Sequence, residues 1–159
     1  MSHEIRTPVN SVIGITNLLL KTNLSDQQAK YISMIQTASE QLMSIINDIL
    51  DISKIEAGKM NFEKIEFSPR QVVKNVIDML TIKAQEQTLD LRYDIQADIP
   101  ETLIGDPSRL SQILINLVGN SIKFTHQGFI EVKCSINYIS NTLCDIEFSV
   151  TDTGIGIVS

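Results

Sequence analysis

The chain has 159 residues, 43% of them hydrophobic and 20% charged, which supplies apolar material for a core and argues against disorder. Its formal net charge of −6 and pI near 4.8 disfavour a nucleic-acid binder, which would need a basic face. No apolar run approaches the roughly 18 residues of a membrane span and no signal peptide is visible, so a soluble chain without direct membrane contact is expected. The two cysteines, Cys134 and Cys144, stand at no metal-ligand spacing and are expected to be reduced. The length suits one ordinary domain or two small ones.

A first helix is expected from Ser2 to about Lys21. Ile5, Val9, Val12, Thr16 and Leu19 recur at alternating steps of four and three, the seam spacing of a packed helix. With Val9 at heptad position a and Ile5, Val12 and Leu19 at d, His3 falls at b on the solvent side, and Thr7 lies over the same face. An imidazole beside the carboxylate of Glu4 suits a nucleophile or general base near neutral pH, although a lone surface His is the commoner case. Zinc is disfavoured, because Thr7 stands where His-Glu-x-x-His needs its second His. Pro8 lacks an N–H and crowds the carbonyl of Glu4, so a bend is expected one turn after His3.

The segment from Thr22 to Asp26 reads as a turn with Ser25 as N-cap. A longer helix then carries Tyr31, Ile35, Ala38, Leu42, Ile45, Ile49 and Ile52 at the same alternating spacing, with Ile32, Ile46 and Ile55 widening the stripe. Two helices joined by a short turn cannot cover such stripes. A homodimeric four-helix bundle is the economical solution, and docking onto the rest of the chain is the alternative. Gly58 is expected to end the helix.

Beyond Gly58 the periodicity changes, so a domain is drawn over residues 1–58 and another over 61–159. A strand is expected from Asn61 to Phe67. Ser68 and Pro69 open a helix that carries Val72, Val73, Val76, Ile77 and Leu80 and ends near Glu86. Strands at Leu89 to Ile95 and Thr102 to Gly105 precede a helix from Asp106 to Thr125, and a hairpin follows, Phe129 to Ile139 and Leu143 to Asp152. This mixture indicates an α+β domain after an all-helical one.

In the helix after Asp106, Leu110, Ile113, Leu114, Leu117 and Phe124 are expected to be buried, with Asn116, Asn120 and Lys123 forming a polar row along one edge. A solvated stripe would read the same way, but Asn is a poor helix former and two on one edge suggest a use. Amide oxygens suit Mg²⁺, and Lys123 can offset phosphate charge. On the last strand Ile146, Phe148, Val150 and Asp152 share a face, which turns Asp152 inward, where its carboxylate needs a donor such as an adenine amino group. Gly154 and Gly156 would let the backbone approach that ring, though a bare Asp-x-Gly-x-Gly is more often a simple turn.

Taken together these strings resemble the sensor histidine kinases. Ser2-His3-Glu4-Ile5-Arg6-Thr7-Pro8 is similar to their H-box at every position. Asp106 to Thr125, with Asn116, Asn120, Lys123 and Phe124, resembles their N-box, except that Ser121 replaces the usual Ala. Asp152-Thr153-Gly154-Ile155-Gly156 is similar to their G1 box, and Asp51 to Lys59 looks most like the hybrid type. The resemblance implies a dimeric helical hairpin followed by an incomplete α+β sandwich of the gyrase and histidine-kinase ATPase type. It implies that His3 accepts the γ-phosphoryl group of ATP, with Glu4 as its hydrogen-bond acceptor and Thr7 orienting water in the reverse reaction. It further implies Asn120 and Asn116 on Mg²⁺, Lys123 on the phosphates, and Asp152, Gly154 and Gly156 on adenine. A receiver domain of a response regulator would take the phosphoryl group, in a cytoplasmic setting with the larger protein anchored in a membrane or not. The family's lid and second glycine motif do not follow Gly156, so a fragment with weak ATP binding is expected, and a catalytically inert phosphotransfer module is the alternative. A gyrase-like ATPase or chaperone would have no use for the H-box.

Overall fold

The computed structural model describes residues 2–140 and 143–156, with side chains from Glu4 onward. The chain divides into two compact units, Met1–Asn61 and Phe62–Ser159.

The first unit is a hairpin of α1 (Ser2–Leu19) and α2 (Asp26–Glu56). Helix α1 passes through Pro8 and stops two residues before the expected Lys21. Ser25 opens α2 with a capping box: its Oγ accepts the Gln28 N–H, and the Gln28 side chain accepts the Ser25 N–H at 2.9 Å. At the other end Gly58 adopts φ +63°, the left-handed conformation that lets Lys59 N–H donate back to the Lys54 carbonyl at 2.9 Å. Gln36 Nε2 links the two helices by donating to Asn17 Oδ1 at 3.1 Å. Among the described residues of this unit only Thr16, Ile32 and Ile46 are buried. The hairpin thus buries the flank residues Ile32 and Ile46 and leaves the seam itself, Tyr31, Ile35, Leu42, Ile45, Ile49 and Ile52, exposed.

The second unit contains β1 (Ile65–Phe67), α3 (Pro69–Glu86), β2 (Asp90–Ile95), β3 (Leu103–Gly105), α4 (Pro107–Phe124), β4 (Phe129–Ile139) and β5 (Cys144–Asp152). Strand β1 is shorter than the expected Asn61 to Phe67 because its partner β3 offers only three rungs, and Phe62 is exposed. In the main sheet, ordered β2-β4-β5, β2 is parallel and β5 antiparallel to β4. Helices α3 and α4 share its core: Val73, Val76 and Ala84 from α3, Leu114, Val118 and Ile122 from α4, and Ile130 and Val132 from β4. Cys134 is buried beside this core, its thiol pushed up to about 11 by burial, and both cysteines are free.

One expectation is corrected. Leu114 is buried in α4, but Ile113, Leu117 and Phe124 are 57%, 45% and 49% exposed, while Val118 and Ile122 are sealed. The helix is apolar on more than one side, and the sheet takes the side centred on Val118 rather than the neighbouring one. Helix α3 also stops without a glycine: Thr88 follows its cap at φ +59°, an uncommon conformation for a β-branched residue.

Asp106 fixes the start of α4. Its Oδ1 accepts the Arg109 N–H at 3.0 Å and its Oδ2 the Glu63 N–H at 3.1 Å. These backbone donors, Arg109 foremost, hold its carboxyl below the ordinary 3.8. A carboxyl lowered in this way contributes stability above its unfolded pKa and loses it as pH falls through the folded value. Asp106→Asn is therefore expected to flatten the loss of stability below pH 3.8. Denaturant midpoints measured down to acid pH check this, and superimposable profiles would exclude the carboxylate as the cause.

Candidate functional site

The last turns of α4 and the end of β5 enclose an open groove of about 620 Å³, lined by Leu117, Asn120, Ser121, Lys123, Phe124, Val150, Asp152, Ile155 and Gly156. The sheet register explains why these meet. Asp152 lies opposite Ile130 and Val150 opposite Val132, and both partners are buried under the helices. Directly opposed residues of antiparallel strands point to the same side, so Asp152 projects on the helix-covered face. Ser121 follows the buried Val118 by three residues and comes to the same side of α4.

Asp152 is held on both oxygens. Ser121 Oγ donates to Oδ2 at 2.8 Å, and Gly154 N–H donates to Oδ1 at 2.9 Å. The side chain still counts as exposed, because the groove is open, rather than turned into the interior as its parity with Val150 suggests. A Cβ at Gly154 would come within 2.7 Å of the Phe124 carbonyl and 3.0 Å of both Asp152 Oδ1 and Thr125 Oγ1. Only glycine lets the chain just beyond β5 run this close to the end of α4. Thr153 secures the segment from the other side: its Oγ1 accepts the Phe129 N–H at 3.1 Å and donates to the Gln127 carbonyl at 3.2 Å. That clasp lies over Gly128, whose φ of +119° and lack of room for a Cβ require glycine.

Of the residues singled out in the sequence, Asn120, Lys123, Asp152 and Gly156 line the groove and Gly154 shapes it; Asn116, one turn before Asn120, does not line it. Lys123 Nζ rests 5.1 Å from the centre of the Phe124 ring. Sequence reading missed Leu117 and Phe124 as wall residues, assigning them to the core, and gave Ser121 no role. It also passed over Thr125, whose Oγ1 is buried with no hydrogen-bond partner among the described residues. In the first unit His3, Glu4 and Thr7 lie in the first two turns of α1. The His3 side chain is outside the described residues; Glu4 and Thr7 both have interaction partners.

Two family models match the chain: His Kinase A (phospho-acceptor) domain over residues 1–58, and Histidine kinase-, DNA gyrase B-, and HSP90-like ATPase over residues 105–159. The signal transduction histidine-protein kinase BarA of Escherichia coli K12 is 46% identical over 157 residues, 99% of this chain and 17% of BarA. Full-length ShkA, solved in complex with AMPPNP, superposes with a TM-score of 0.78 at 30% identity, covering 99% of this chain and 33% of that one. Histidine kinase ThkA, solved in complex with response regulator protein TrrA, gives 0.50 at 25% identity, covering 83% of this chain and 39% of that one. The second unit therefore has the ATPase fold that histidine kinases share with DNA gyrase B and HSP90. Joined to the phospho-acceptor hairpin, it gives the chain the phospho-acceptor and ATPase domains of a histidine kinase.

Gly154→Ala is expected to destabilise the second unit by roughly 1–3 kcal/mol, since the backbone carbonyl of Phe124 cannot give way as a flexible side chain would. Urea denaturation checks it; an unchanged midpoint would mean that the segment following β5 has slack at this point.

Proposed function

We propose that the chain is the phospho-acceptor and nucleotide-binding part of a kinase that transfers the γ-phosphoryl group of ATP to His3 and then to an aspartate of a receiver domain. The observation that carries this reading is one groove bringing together a pinned carboxylate acceptor, an amide, an ammonium and apolar walls. That set fits ATP. The adenine ring would lie against Leu117, Phe124, Val150 and Ile155, its amino group facing Asp152, and Lys123 would offset phosphate charge. ShkA, the solved relative with AMPPNP bound, supports the same use of the fold.

For Mg²⁺ the protein donors are few. Among the described residues no group of three or more His, Cys, Asp or Glu could hold a metal. The amide oxygen of Asn120 is a suitable hard donor, and phosphate oxygens and water would complete the shell; Asn116, one turn back, does not line the groove. Bound there, the ion would neutralise charge on the transferring group.

The chain's own part is positioning. Glu4 would accept a hydrogen bond from Nδ1–H of His3, leaving the Nε2 lone pair to attack the γ-phosphorus as the bond to ADP breaks. Thr7, one turn along α1, orients water when the phosphoryl group is hydrolysed. Phosphoryl transfer asks little more of a protein than alignment and charge. The solved ThkA complex with its response regulator supports a receiver as the next acceptor. No helix of the described residues is long and apolar enough to cross a membrane. A second copy of the chain would cover the exposed seam of α2, each Å² of apolar surface removed from water contributing ~25 cal/mol before entropic costs.

Incubated with Mg·ATP and a complete histidine kinase domain, the chain is expected to take label on His3 alone, as a phosphoramidate stable to base and lost in acid. His3→Gln should abolish the label; an acid-stable label, or one that persists in this variant, would refute the mechanism. Light scattering should show a dimer, and Leu42→Asp, which puts a charge in the seam, should give monomers or unfolded chain. A monomeric unsubstituted protein would remove the dimer from the reading.

A further inference from the structure

Several hydroxyls on the helices of this protein are spent locally. Ser11, Thr37, Ser39, Ser53 and Thr81 each donate to the carbonyl four residues back, the usual fate of a helical Ser or Thr. Ser121 does not. It is 8% exposed, its own carbonyl is engaged by Thr125 N–H, and its Oγ reaches out of α4 to Asp152 Oδ2 at 2.8 Å.

We propose that Ser121 is a specificity-determining positioning residue, which orients the Asp152 carboxylate so that the groove prefers a purine with an exocyclic amino group over a 6-oxo purine. The inference rests on the nucleotide reading of the groove. A carboxylate's last torsion is broad, so a carboxylate held on one oxygen can turn, and exposed Asp152 would turn toward water. Held on Oδ2 by Ser121 and on Oδ1 by the Gly154 N–H, its plane is fixed. Each oxygen accepts about two hydrogen bonds, so acceptor capacity remains on both, and an ionised carboxylate has no donor to offer. A 6-amino group finds that acceptor already oriented, whereas a 6-carbonyl oxygen placed there meets lone pairs. With Ala at position 121, Oδ2 is left to water, and binding a base must include the cost of orienting the acceptor.

The test is a titration of the full 159-residue chain with Mg·ATP and with Mg·GTP, following the amide resonances of Gly154 and Gly156. Ser121→Ala is expected to weaken ATP binding roughly three- to ten-fold, the scale of one charge-assisted hydrogen bond at an open site, while GTP binding stays within about two-fold. The ATP preference should therefore shrink by nearly the same factor. Ser121→Cys, close in size but a poor donor, should behave like Ser121→Ala, and Ser121→Thr, which keeps the hydroxyl, should restore the preference. An unchanged ATP-to-GTP ratio in the Ala and Cys variants, or an equal loss for both nucleotides, overturns the positioning role. The nucleotide reading fails separately: the unsubstituted chain would respond to neither nucleotide, or Asp152→Asn would bind ATP as the unsubstituted chain does.

Discussion

The chemistry of the second unit depends on one short junction, the two hydrogen bonds that hold Asp152 between Ser121 of α4 and the Gly154 N–H. Much of the surrounding structure brings these groups together. The β4–β5 register sets Asp152 beside sealed Ile130; Val118 and Ile122, on either side of Ser121 along α4, share the core with Ile130. Glycine at 154 permits the approach, and Thr153 anchors the following residues to the start of β4. A carboxylate in an open groove is free to swing into water unless donors hold it, and here the donors come from a helix and from its own strand end.

The two units meet the hydrophobic problem in opposite ways. In the second, two helices lie over the sheet, and the apolar side chains between them are nearly all removed from water. In the first, two long helices satisfy their backbone hydrogen bonds internally yet bury almost no side chains, because a hairpin offers each helix only one neighbour. Capping fixes where α2 begins and ends, but capping does not cover a stripe. The exposed seam is thus a property of the hairpin's geometry, and it makes association with a further helical surface the natural source of stability for that unit.

Local signals were the legible ones. Ser25, Ser68 and Asp106 each announced a helix start, and each accepts the backbone N–H three residues on; Gly58 announced an end and takes the left-handed conformation. Asn120 and Lys123 of the polar row and Asp152 and Gly156 of the Asp-x-Gly-x-Gly string lie on the two walls of the groove. What misled was the burial of α4. Its apolar residues occupy two adjoining faces, and periodicity ranks them equally, so Leu117 and Phe124 were placed in the core although they line the groove. Thr88 ends α3 with none of the usual stop residues, and β1 is cut short by a partner that no local pattern reveals.

The amino-acid sequence by itself determined the elements, their caps, the family-defining strings and the excess of apolar surface on the first two helices. These rest on interactions within a few residues of one another, where spacing alone decides which groups can meet. Only the tertiary structure decided which side of α4 is sealed, that Asn120 lines the groove while Asn116 does not, and that Ser121, a small departure from the family string, is the donor to Asp152. Those outcomes join residues some thirty positions apart through the β4–β5 register and the packing of α4, and no local spacing encodes such a distance.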